Sequence, residues 1–217
     1  MAASATPSPG NSTGIEPNNM RLPHLDHIYR LEVYMAKHRD VVGSAFGSKQ
    51  QRIIMPIVGG LVRGKNISGV IEPNSGSDWG TIVEGADVSM PEVRLMFYDP
   101  NVKLTRQLMS QFMKLDARYT IKTDDGHYIY LQAHGIFSGG PDRVEPVLGS
   151  SNPVSNFSQD DVEWFTHVTF EAGSGPYHWM NSIMAIGVLV KFDNKIVIDA
   201  YRITNFPHLS PRNVTAA

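Results

Sequence analysis

From Leu31 onward the chain alternates apolar and polar residues with a period of two, and Gly, Asp or Asn interrupts the alternation roughly every ten residues. Successive side chains on a strand point to opposite faces, so this rhythm predicts strands buried on one side and joined by short turns. The pattern places them over 31–42, 52–62, 66–72, 80–85, 93–97, 117–123, 127–137, 163–171, 182–192 and 195–203. Such a set belongs to an all-β barrel or sandwich. Asp125-Gly126, between runs rich in Tyr, Ile and Thr, suits a tight primed turn, and Phe192-Asp193-Asn194-Lys195 reads as a second hairpin.

Residues 101–114 break the rhythm. Leu104, Leu108, Met109 and Phe112 fall at helical spacing there, which predicts one amphipathic helix covering or gating an end of the barrel. Residues 138–159 are rich in Gly, Pro, Ser and Asn and form a long irregular connection. The expected organisation is a tail over 1–19, a barrel domain over 20–206 with an insertion at 84–115 that carries the helix, and a second tail over 207–217.

A chain of 217 residues, 41% hydrophobic and 18% charged, fits one domain with a sizeable core. A net charge of -2 with no Lys/Arg cluster leaves no footprint for nucleic acid or an anionic membrane. No apolar stretch approaches a membrane span, so a soluble, cytoplasmic protein is expected. Cysteine is absent, which removes thiolate chemistry and Cys-ligated metals. Spacings typical of metal sites, phosphate-binding loops and the G-x-S-x-G elbow are also missing, so no metal and no cofactor are expected. The chemistry available is that of oxygen and imidazole groups.

Several side chains exceed what architecture needs. Asp116 and Arg118 share a strand face with Thr120, as a surface ion pair or, if that face is internal, as a clamp for a planar carboxylate or enolate. Tyr177, Trp179 and Asn181 share one face if extended, and an amide among aromatics needs partners. Trp79, after Gly76-Ser77-Asp78, could plug the barrel. His134 and His167 lie in predicted strands, where imidazole is the usual general acid/base at neutral pH.

Pro56-Ile57-Val58-Gly59-Gly60 with Gly64 and Gly69, Ser77-Asp78-Trp79, Asp116-Ala117-Arg118-Tyr119, Asp124-Asp125-Gly126, Phe170-Glu171, Tyr177-His178-Trp179-Met180-Asn181, Gly187 and Asp199-Ala200-Tyr201 occur in an order that resembles the domain-of-unknown-function 3237 family. The resemblance covers about 31–203 and implies a single antiparallel calycin-like β-barrel with a lumen. Two departures stand out. Residues 84–115 intervene between motifs that family members place closer together, and Trp164-Phe165-Thr166-His167 replaces the family's usual Tyr-Phe-Arg-Thr. The tail and insertion resemble a fungal branch whose barrels sit among secondary-metabolite cyclases, isomerases and dehydratases.

The resulting expectation is a cofactor-independent enzyme of specialised metabolism that isomerises, dehydrates or cyclises an apolar, oxygen-bearing small molecule in the lumen. Its catalytic set would be His167, Asp116, Arg118, His134 and Glu171, and its substrate contacts Trp79, Tyr119, Phe165, Tyr177, Trp179 and Asn181. Arg118, Trp179 and Asn181 are expected to point into one cavity. His167 meets an objection, because the matching positions are Trp164 and Thr166, and their neighbour turns outward unless a bulge intervenes. The alternative is a non-catalytic carrier. Long β edges make a homodimer an expectation as well.

Overall fold

The computed structural model describes residues 21–44, 50–83, 112–139 and 156–207. Within them the alternation becomes strands β1 (His24–Met35), β2 (Asp40–Ser44), β3 (Gln50–Arg63), β4 (Ser68–Ile71), β5 (Gly76–Asp78), β6 (Thr81–Val83), β7 (Phe112–Thr123), β8 (Tyr128–Gly139), β9 (Val162–Ala172), β10 (Met184–Phe192) and β11 (Lys195–Thr204). Every pairing is antiparallel, and the neighbour order runs β1-β11-β10-β9-β8-β7-β4-β3. A further ladder from Arg30↔Arg63 to Met35↔Ile57 joins β1 to β3 and closes the ring.

The closed barrel has eight strand positions. One of them is shared: β4, β5 and β6 lie in succession between β3 and β7, interrupted after β4 by a turn with Asn74 at φ 54°. β2 extends the opposite side of β3 beyond β1. Inward positions carry the apolar residues, with Tyr29, Ile121, Ile129 and Val62 fully buried. Outward positions of β9 carry Glu163, His167, Thr169 and Glu171. Closure pairs the strands of the ring on both sides, whereas among the described residues β2 is paired along one side only.

Between β9 and β10 the chain forms a short 3-10 helix, His178–Ser182, which buries Met180. Tyr177, Trp179 and Asn181 therefore do not share a strand face, because three residues per turn distributes them around this helix. The turn at Asp125-Gly126 is also not primed. Gly126 has φ 89° and Asp125 does not have positive φ, so this loop uses a single left-handed residue. At the second hairpin both Asp193 (φ 50°) and Asn194 (φ 59°) are left-handed, as a primed turn requires.

The predicted helix over 101–114 is not supported. Its last residues, Phe112, Met113 and Lys114, belong to β7 and pair with Val83, Ile82 and Thr81, while 101–111 lie outside the described residues. The strand expected at 93–97 and most of the irregular connection at 138–159 also lie outside them. β1 starts at His24, earlier than the sequence pattern indicated, and is carried past a register shift between His27 and Tyr29. No helix of the described residues is long and apolar enough to cross a membrane.

Candidate active site

The barrel interior holds a cavity of about 40 Å³. Its walls are Val33 and Met35 of β1, Ile57 of β3, Asp78 of β5, Leu115, Ala117 and Tyr119 of β7, Ala133 of β8, Trp164 and Thr166 of β9, Leu189 of β10, and Ile196 and Ile198 of β11. Small residues create this space. Ala117 faces Ala133 across the β7–β8 ladder. Thr166 pairs with Gly135 on one side and Gly187 on the other. A Cβ at Gly187 would lie 2.5 Å from Thr166 Oγ1, and one at Gly135 would lie 2.8 Å from Thr166 Cγ2.

Polar groups interrupt the apolar wall at Asp78, Tyr119, Trp164 and Thr166. Burial raises the Asp78 carboxyl to about 6; the Asp116 backbone N–H, which Asp78 accepts at 3.1 Å, opposes the rise, and the charge of Asp116 adds to it. Such a group exchanges protons near neutrality. Burial, and then the charge of Asp78, pushes the Tyr119 hydroxyl upward, so it remains a neutral donor. Trp164 Nε1 and Thr166 Oγ1 are buried with no hydrogen-bond partner among the described residues, and Tyr29 Oη in the core shares that condition. Among the described residues no Lys, Arg or His lines the cavity.

Of the residues predicted from sequence, Tyr119 alone lines this cavity. Asp116, Arg118, His134, His167 and Glu171 occupy outward positions on three adjacent strands. They form a polar outer face. Arg118 donates from Nε to Asp116 Oδ1 at 3.0 Å and from its terminal nitrogen to Oδ2 at 3.3 Å, and His134 Nε2 lies 3.2 Å from Asp116 Oδ1. His167 pairs with His134 across the β8–β9 ladder, and no bulge turns it inward. Trp79 is half-buried under Arg118, whose guanidinium carbon is 6.0 Å from the ring centroid. Phe165 is 49% exposed.

The expectation that Arg118, Trp179 and Asn181 share a cavity does not hold. Asn181 serves the backbone: its Oδ1 accepts the Ala172 N–H at 2.7 Å, and its Nδ2 donates to the Ala172 carbonyl at 2.8 Å. Tyr177 is buried and donates its hydroxyl to Asp125 Oδ1 at 3.1 Å, tying the segment to the β7–β8 turn. Trp179 packs against the core. These residues fasten the 3-10 helix to the strands.

Sequence reasoning passed over Asp78, Trp164 and Thr166 as site residues. Parity carried the missing signal. On β9, Val162, Trp164, Val168 and Phe170 mark the inward face, and Thr166 shares their register. On β7 the apolar Met113, Leu115, Tyr119 and Ile121 mark the odd positions as inward, which sends Asp116 and Arg118 out. For metal binding, no group of three or more His, Asp or Glu among the described residues is suitably arranged.

Similar proteins share this architecture. A UPF0311 protein of Rhodopseudomonas palustris (strain TIE-1) is 29% identical over 152 residues, which cover 70% of this chain and 80% of that one. A solved structure described as a beta-barrel like protein from Acinetobacter baumannii superposes with a TM-score of 0.61 at 24% identity, covering 86% of this chain and 99% of that one. Another, described as an enzyme from Penicillium herquei, gives a TM-score of 0.51 at 17% identity, covering 88% and 98%. At these identities the structural matches establish the fold. The family model described as "Protein of unknown function (DUF3237)" matches residues 23–203, from the start of β1 almost to the end of β11, and the chain therefore belongs to that family.

Proposed function

We propose that the lumen is the active site of a small-molecule enzyme acting by proton transfer, with Asp78 as its general acid/base. The observation that carries this reading is the position of the Asp78 carboxyl, on an apolar cavity wall and raised to about 6. A general acid/base works best when its pKa lies near the working pH, and burial supplies that shift here. Tyr119 adds a neutral hydroxyl whose own ionisation is suppressed by burial and then by the charge of Asp78. Isomerisation, dehydration and cyclisation all turn on moving a proton to or from carbon or oxygen in a confined substrate. The polar cluster of Asp116, Arg118, His134 and His167, once the expected machinery, takes no part in this reading because it lies on the other side of the wall. The similar fold described as an enzyme from Penicillium herquei supports the class of function.

The alternative is a carrier, favoured by the mostly apolar lining. Hydrogen–deuterium exchange of phenylacetone separates the two readings. In this reaction the Asp78 carboxylate takes a proton from the carbon beside the carbonyl and, after exchange with solvent, returns a deuteron to it. Exchange above the buffer rate is expected, with the rate rising through about pH 6 as the carboxyl ionises. Asp78→Asn should lower it by about 10²- to 10⁴-fold. Binding without exchange, or undiminished exchange in Asp78→Asn, would reject Asp78 as the acid/base.

A further inference from the structure

We infer that the lumen selects neutral molecules through a pair of hydrogen-bond donors, Trp164 Nε1–H and Thr166 Oγ1–H, which hold an acceptor oxygen on an otherwise apolar ligand of about one ring. The inference rests on the lumen being the binding site, and it adds the ligand class. Trp164 is 8% exposed and Thr166 4% exposed, yet the indole nitrogen and the hydroxyl oxygen lack partners among the described residues. Buried polar groups in folded proteins are almost always satisfied, so two orphans on one cavity wall mark where a ligand completes the bonding. The two residues are i and i+2 on β9, so they share a face about 7 Å apart along the strand.

The chemistry of the pair fixes the ligand's polarity. Indole N–H can only donate, and a threonine hydroxyl can donate while accepting. The complementary atom is therefore an acceptor such as a ketone, ether or phenol oxygen. An ammonium group has no lone pair to offer and does not fit. An anion does not fit either, because no cation lines the cavity among the described residues and Asp78 contributes negative charge at neutral pH. Thr166 Oγ1 packs beside Gly187 of β10, where a Cβ would lie 2.5 Å from it, so only glycine leaves room for the hydroxyl there. The free space of about 40 Å³ corresponds to roughly three waters, or about one six-membered ring.

Three probes of one size test this with the full chain at pH 7.5: acetophenone, ethylbenzene and benzoate, titrated by calorimetry or ligand-observed NMR. Acetophenone should bind about tenfold or more tightly than ethylbenzene, and benzoate should show no measurable binding. Trp164→Phe and Thr166→Val should each weaken acetophenone by about three- to tenfold while leaving ethylbenzene unchanged. Thr166→Val keeps the side-chain volume and carries the test if Trp164→Phe fails to fold. Equal affinity for acetophenone and ethylbenzene, benzoate binding as tight as acetophenone, an unchanged preference in both variants, or no acetophenone binding at millimolar concentration would each overturn the inference. Asp78→Asn should retain the acetophenone preference while losing exchange, so failure of the selectivity and failure of the proton-transfer reading give different results.

Discussion

Asp78 and Asp116 meet through the barrel wall: the inner carboxylate of Asp78 accepts the backbone N–H of Asp116 at 3.1 Å, while the side chain of Asp116 turns outward to Arg118 Nε at 3.0 Å. The outer ion pair thus sits one residue's thickness from the proposed acid/base. The Asp116 charge raises the Asp78 carboxyl, and Arg118 partly cancels that charge. Arg118→Gln should therefore move the Asp78 midpoint upward from about 6, by an amount limited by solvent screening at the exposed guanidinium. A carbon-13 NMR titration of the Asp78 carboxyl reads this directly. A midpoint that falls would show that the outer pair does not act through the wall.

Burying Asp78 also has a stability consequence with a definite sign. Its folded-state value of about 6 exceeds an unfolded value of about 3.9, so the folded state binds the proton more tightly. The favourable contribution is complete below about pH 4 and disappears as pH rises through about 6. Two pH units correspond to roughly 3 kcal/mol as an upper bound. Asp78→Asn keeps an oxygen for the Asp116 N–H and removes the half-buried charge. It should raise the melting temperature at pH 7.5 and change it little at pH 4. Urea unfolding at the two pH values supplies the check, and a variant less stable at pH 7.5 contradicts the raised value.

How much of this was legible in the sequence depended on whether the signal was local. Period-two alternation located most of the strands, because half-buried strands impose it regardless of neighbours. It also contained the inside–outside assignment, since Leu115, Tyr119 and Ile121 on β7 share a parity that excludes Asp116 and Arg118. The polar residues drew attention because they were unusual, yet unusual residues on a barrel wall are often simply its wet face. Phe112 and Met113 illustrate the opposite limit: a short apolar run fits helix and strand alike, and pairing with Val83 and Ile82 decides for strand. The raised carboxyl of Asp78 and the orphaned groups of Trp164 and Thr166 arise from burial against other strands. No local pattern reports that.

Asn181 offers a test of how the 3-10 helix is fastened to the strands. Its amide makes two hydrogen bonds to the Ala172 backbone, at 2.7 and 2.8 Å, in place of a strand partner. Asn181→Ala removes both at an exposed position, and a loss of about 1 kcal/mol is expected. The more specific outcome is faster hydrogen exchange at the Ala172 amide with little change at Ile129, which lies opposite it on β8. Unaltered protection of Ala172 would show that the fastening does not depend on this side chain.

Gly187 tests whether the lumen is where ligands bind. A Cβ there would lie 2.5 Å from Thr166 Oγ1, 3.2 Å from Ile198 Cγ2 and 3.6 Å from Leu189 Cδ1, all of them on the cavity wall. The closest of these contacts is too short to persist, so Thr166 must rotate or β10 must move, and overpacking of this kind costs about 1 to 3 kcal/mol. Gly173 provides the control, because a Cβ there meets nothing within 4 Å and an added methyl should be nearly neutral. Gly187→Ala should lower the melting temperature modestly and weaken acetophenone binding at least tenfold, by displacing the Thr166 hydroxyl and filling the space beside it. Gly173→Ala should change neither. Equal acetophenone affinity in the wild type and in a folded Gly187→Ala variant would place the binding site away from the cavity beside Thr166.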